Sequence, residues 1–181
     1  MALAPILQMK VTVTNVRALA DQVQLNDKSE ASKLLSDCER QLKLLPSSEQ
    51  QFKKKFDEYS EGISYKQQFL DKNAFLVYYT KGFDGPGRPS IETEDPKQLK
   101  EAQQFGLRNE AWIGVDDARA ELSYLQSLLA SSSTSSVEQK ESVKDLKTAL
   151  QAATKALVDY VAIAPSSDLS EAESILSSYL K

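Results

Sequence analysis

The chain has 181 residues, 41% of them hydrophobic and 27% charged, enough for one well-filled core without staples. A formal net charge of -4 and a pI near 5.0 give nonspecific nucleic-acid binding no electrostatic support. There is no histidine, which excludes Ser-His-Asp and Cys-His nucleophile pairs, His-ligated zinc, histidine-held haem and the Glu-x-x-His di-iron bundle site.

Carboxylates, lysines and tyrosines remain, but no spacing among them matches a catalytic constellation, so the expectation is a non-enzyme with no catalytic residue, cofactor or metal. The single cysteine, Cys38, sits beside Leu34, Leu35 and Leu42 and reads as a small buried hydrophobe. No apolar run approaches bilayer-spanning length. The opening MALAPILQMK lacks the regions of a signal peptide, so any targeting segment is expected to have been removed already.

Residues Gln8 to Val23 place Met9, Val16, Leu19, Ala20 and Val23 on one helical face, although the β-branched VTVT run opposes a helix. Asn26 and Asp27 end that segment and can cap the next. There Ala31, Leu34, Leu35, Cys38, Leu42 and Leu45 form a clean stripe closed by Pro46. Ser47 with Gln50 reads as a capping box for a third helix, with Phe52, Phe56, Tyr59 and Ile63 on its apolar face. On that helix Lys53, Lys54 and Lys55 form a compact basic cluster. It is either a solvated face or an electrostatic dock for an acidic partner.

Gly62 marks a kink or a break, and Ala74 to Thr80, AFLVYYT, suits a helix or a strand. The Gly/Pro loop at 81–95 begins KGFDGPGRP, which has neither the GxxxxGK[ST] nor the GxGxxG pattern of a phosphate loop. Phe83, Asp84 and Arg88 are its candidate partner-binding residues, with Phe83 tucked under the end of the bundle as the alternative.

Asp95 and Pro96 start a short amphipathic run through Leu99, Ala102, Phe105 and Leu107, which Gly106 is expected to bend. From Glu110 to Ala130 a stripe of Trp112, Val115, Ala118, Leu122, Leu125, Leu128 and Leu129 predicts a core helix. Arg119 lies within the stripe and needs a partner such as Asp116 or Asp117. After the SSSTSS run, Ser136 with Gln139 reads as another capping box. Val143, Leu146, Leu150, Ala153, Leu157, Tyr160 and Val161 then mark a long helix ending at Pro165. A last helix, Asp168 to Leu180, carries Leu169, Ala172, Ile175, Leu176 and Tyr179. Together these predict an all-α fold, an antiparallel up-down four-helix bundle core with extra N-terminal helices. Residues 1–26 are expected to form an N-terminal segment or helix and 27–181 the helical bundle.

The order of features from Arg108 to Lys181 resembles the PsbQ family of extrinsic photosystem II proteins. An AW pair, Ala111 and Trp112, opens a helix running through Arg119 to SYL, Ser123 to Leu125. A polar turn leads to KDLKTALQAATKALVDY, Lys144 to Tyr160, and an SEAES start, Ser170 to Ser174, precedes a final helix with Tyr179 and Leu180. Trp112, Arg119, Tyr124, Leu125 and Tyr179 are the core residues of this pattern. Some hundred residues of helical sequence and the GFDGPGR loop stand where plant members have a proline-rich arm, and the proline expected after Trp112 is absent. The chain thus resembles a divergent relative similar to the PsbQ-like proteins of red-lineage algae, which have larger amino-terminal portions.

The resemblance implies a non-catalytic subunit on the lumenal side of the thylakoid membrane in the chloroplast, peripheral and monomeric within a larger complex. It would cap photosystem II, support neighbouring extrinsic subunits and help the oxygen-evolving centre retain calcium and chloride. PsbQ-like relatives also belong to the chloroplast NAD(P)H dehydrogenase-like complex, and an unrelated helical adaptor would use the Lys53 to Lys55 face or the loop residues.

Overall fold

Residues 3–60, 96–131 and 136–179 are described by the structure, a computed structural model, with the side chains at 96–99, 101 and 179 excepted. These residues form six helices and no strand: α1 (Ala4–Gln22), α2 (Lys28–Leu42), α3 (Glu49–Asp57), α4 (Pro96–Ala130), α5 (Ser136–Ala162) and α6 (Ser166–Tyr179). Gly62, Ile63, the AFLVYYT stretch and the 81–95 loop lie outside the described residues.

The VTVT run stays helical because its threonines add local bonds and its valines find a core. The Thr12 hydroxyl donates to the Gln8 carbonyl at 3.0 Å and that of Thr14 to the Lys10 carbonyl at 2.8 Å, while Val13 and Val16 are fully buried. α1 therefore starts earlier than the hydrophobic periodicity indicates, with Pro5 in its first turn, where a missing N–H costs nothing. Asp27 caps α2 by accepting from the Ser29 and Glu30 amides. The cap of α3 is Ser48, which accepts from the Gln51 amide. The expected Ser47 lies one residue too early. Ser136 is likewise the first helical residue of α5 rather than its cap.

The bend expected at Gly106 is absent: α4 runs unbroken for 35 residues, about 52 Å at the α-helical rise. An interior glycine costs about 1 kcal/mol relative to alanine. The burial of Ala111, Val115 and Ala118 further along the same helix outweighs that cost.

α4 and α5 make the most extensive helix pair; α1 packs on α2 and α5, α2 on α4, α6 on α1, and α3 on α4 and α1. Cross-helix bonds give directions. Arg119 reaches the carbonyls of Leu42 and Leu45 while Gln126 reaches Glu39, and Ser142 approaches Glu121 while Gly114 lies against Ala149 and Ala153. Residue numbers thus rise along α4 as they fall along both α2 and α5. Residues of α1 share one hydrophobic core with those of α2 to α6, so position 26 marks a turn between packed helices.

At one end of this core α3 inserts its aromatic face. The Phe52 and Phe56 rings stack at 5.2 Å, Phe52 lies 5.5 Å from Trp112, and Phe56 meets Tyr160 edge-on at 4.8 Å.

Candidate functional site

Arg119 occupies the apolar stripe of α4, where a guanidinium must find acceptors. The expected pairing with Asp116 or Asp117 gives way to a cap on another helix. Its Nη2 donates to the carbonyls of Pro46 at 2.9 Å, Leu42 at 3.2 Å and Leu45 at 3.3 Å where α2 ends, the Leu42 carbonyl also accepting from the Leu45 amide at 3.2 Å. Burial lowers its pKa, opposed by Asp116, but a guanidinium stays charged throughout the ordinary pH range. The same group lies 5.9 Å from the Trp112 ring.

Of the other resemblance residues, Leu125 is fully buried and Trp112 half-buried against the core. Tyr124 corrects the expectation of a core residue, since it is 52% exposed. A helix turns about 100° per residue, so the stripe through Leu122, Leu125 and Leu128 directs Tyr124 outward. The side chain of Tyr179 lies outside the described residues, as do Phe83, Asp84 and Arg88.

The Lys53 to Lys55 cluster is matched by acids on its own helix and turn. Lys53 pairs with Glu49 at 2.6 Å, and Glu58 takes Lys55 at 3.6 Å and Lys54 at 4.0 Å. Lys54 remains the most exposed of the three. Exposed pairs of this kind are worth little in stability, and they dilute the positive field available to a partner.

Sequence reading passed over Arg108. It lies beside the aromatic end of the core, stacked 4.4 Å over the Phe105 ring and ion-paired with Asp57. Close by, the Tyr59 hydroxyl donates to Asp168 at 2.8 Å. Burial, with the Asp168 contact second, pushes the Tyr59 pKa up. Burial likewise pushes the Tyr160 phenol up to about 12. Among the described residues Arg108 Nε and the Tyr160 hydroxyl are buried with no partner in good hydrogen-bond geometry, although the Ser60 side chain lies close enough to the phenol to oppose part of that rise. A signal existed: Gln104, Arg108, Ala111 and Val115 recur at four-, three- and four-residue steps, which puts two polar residues on a buried stripe.

The other feature missed is the approach of α4 to α5. A Cβ on Gly114 would stand 2.7 Å from the Ala153 nitrogen and 3.0 Å from the Ala149 carbonyl oxygen, so only glycine fits without displacing backbone. On the outer side of this contact lies an open groove of 530 Å³ with a floor of small residues and a rim carrying Glu110, Asp117, Glu121 and Asp145. Ile113 stands at its edge, 56% exposed. Glycine and alanine add little to a hydrophobic pattern, which is why their alignment across two helices escaped notice.

Among the described residues no three histidine, cysteine, aspartate or glutamate side chains converge at metal-binding spacing. Nor is any of their helices long and apolar enough to cross a membrane. Set beside known proteins, the chain matches no family model, no curated protein and no solved structure. The likeness to the PsbQ family therefore rests on the residue pattern of 108–181.

Proposed function

We propose that this chain is a non-catalytic docking subunit that caps the lumenal side of photosystem II in the chloroplast, where it supports neighbouring extrinsic subunits and calcium and chloride retention. In this reading α1, α2, α4 and α5 close into an antiparallel up-down four-helix bundle, and α3 and α6 cover one of its ends.

The observation that carries the reading is the α4–α5 pair. It holds most of the residues that resemble the PsbQ family, it is the most extensively packed pair, and it presents an open groove on its outer face. A helical body with such a surface suits assembly, in which rigid faces are matched to partners. The host complex comes from the resemblance alone.

Purified photosystem II cores should retain the protein at low ionic strength and release it on a high-salt wash. Oxygen evolution at low calcium and chloride should fall when it is removed and recover when it is restored. If depletion changes neither assembly nor ion demand, the photosystem reading fails. Copurification with the NAD(P)H dehydrogenase-like complex would instead assign that host.

A further inference from the structure

We propose that the groove between α4 and α5 docks a basic amphipathic helix of a partner protein. This rests on the reading of the chain as a docking subunit and names the chemistry its partner must carry.

The groove is built from two parallel stripes. Glu110, Asp117 and Glu121 line its α4 side at seven- and four-residue steps, one face of the helix, with Ala120 between them. Asp145 and Ala152 stand on α5 across from them. From Glu110 to Glu121 the rim extends about 16 Å, three turns of helix. Four of the lining residues are carboxylates and the one lysine, Lys155, is held by Asp159 at 2.6 Å. Among the described residues no cation stands at ion-pair distance from Asp117 or Asp145, and Glu110 acts on Lys155 only at longer range, behind Asp159. The Gly114 contact keeps the helices close, and the exposed Ile113 adds an apolar shoulder. A face with an apolar middle and a negative rim is complementary to a helix with an apolar stripe flanked by lysine or arginine.

Charge sign and spacing select this occupant over others. The acids do not converge to hold a single metal ion. A second copy of this chain carries a net charge of -4 of its own, and an anionic lipid surface repels the rim.

The test uses the whole chain and two 18-residue fluorescent peptides of alanine and leucine, one flanked by lysines and one by glutamates at the same positions, read by anisotropy. The lysine peptide should bind about tenfold or more tightly than the glutamate peptide, and more weakly as salt rises. The triple variant Asp117→Asn, Glu121→Gln, Asp145→Asn should lose about tenfold or more in affinity. So should Ala152→Trp, which fills the groove from an exposed position while keeping every charge. Circular dichroism should find both variants as helical as the parent. Equal binding of the two peptides overturns the proposal. So does full binding by Ala152→Trp, which would mean diffuse attraction to an acidic protein, or sedimentation of the unliganded chain as a dimer blocked by Ala152→Trp. Peptide binding without retention on photosystem cores would keep the groove and remove the host. Retention without peptide binding would place docking on another face.

Discussion

The backbone nitrogen of Ala153 lies 2.7 Å from the point where a side chain at Gly114 would begin, a close approach between α4 and α5. Because the obstructing atoms are backbone, relief requires the helices to separate. Gly114→Ala should therefore destabilise the protein by about 1 to 3 kcal/mol despite the gain in helix propensity. Gly106→Ala, with nothing within 4 Å of the new methyl, should stabilise it by up to about 1 kcal/mol. Urea unfolding of the pair decides this. A neutral Gly114→Ala would remove the packing argument.

Arg119 joins α4 to the end of α2 through three carbonyls. Arg119→Ala leaves the Leu45 and Pro46 carbonyls without this donor and should cost about 2 kcal/mol, and Arg119→Lys should recover less than half because an ammonium is more strongly hydrated than a guanidinium and costs more to bury. The neighbouring Trp112→Ala should cost about 2 to 3 kcal/mol, below the range for a fully buried indole, because Trp112 is only half-buried. Thermal or urea melts give both values. A stable Trp112→Ala that no longer binds its partner would make Trp112 an interface anchor.

The Arg108–Asp57 pair is asymmetric: the arginine side chain is 7% exposed and the aspartate 49%. Asp57→Asn strands a buried cation, whereas Arg108→Met removes it and leaves a carboxylate that water can reach. We expect Asp57→Asn to cost about 2 to 4 kcal/mol and Arg108→Met less, about 1 kcal/mol or below. The reverse order in chemical denaturation would rule out a desolvated guanidinium as the weak point.

Stability should fall on the alkaline side. Burial pushes the Cys38 thiol from 9.0 up to about 11 and the Tyr160 phenol from 10.0 up to about 12. Both folded pKa values are raised, so the unfolded chain releases these protons first. The contribution to stability is complete below the unfolded values and is lost as pH rises from about 9 towards 12. Each group tilts the curve by at most about 1.4 kcal/mol per pH unit. Tyr160→Phe should flatten the alkaline limb, and near neutrality it should change stability little because the deleted hydroxyl makes no well-formed hydrogen bond among the described residues. A stability curve level to pH 11 would contradict the burial of both groups.

The helical class, the apolar faces of α2 and α5, the Asp27 cap and the burial of Cys38 were legible in residue order, because 3.6-residue periodicity and capping chemistry are local. The tertiary structure decided where local preference was weak or misleading. Val13 and Val16 gained a core that holds VTVT in a helix, and α4 passed through Gly106 without bending. Tyr124 faced outward by one residue's rotation, and Arg119 found carbonyls more than seventy positions away in the chain. The α4–α5 groove has the same origin. Gly114 and Ala153 carry almost no signal separately, and their meaning arises only when two helices bring them within contact distance.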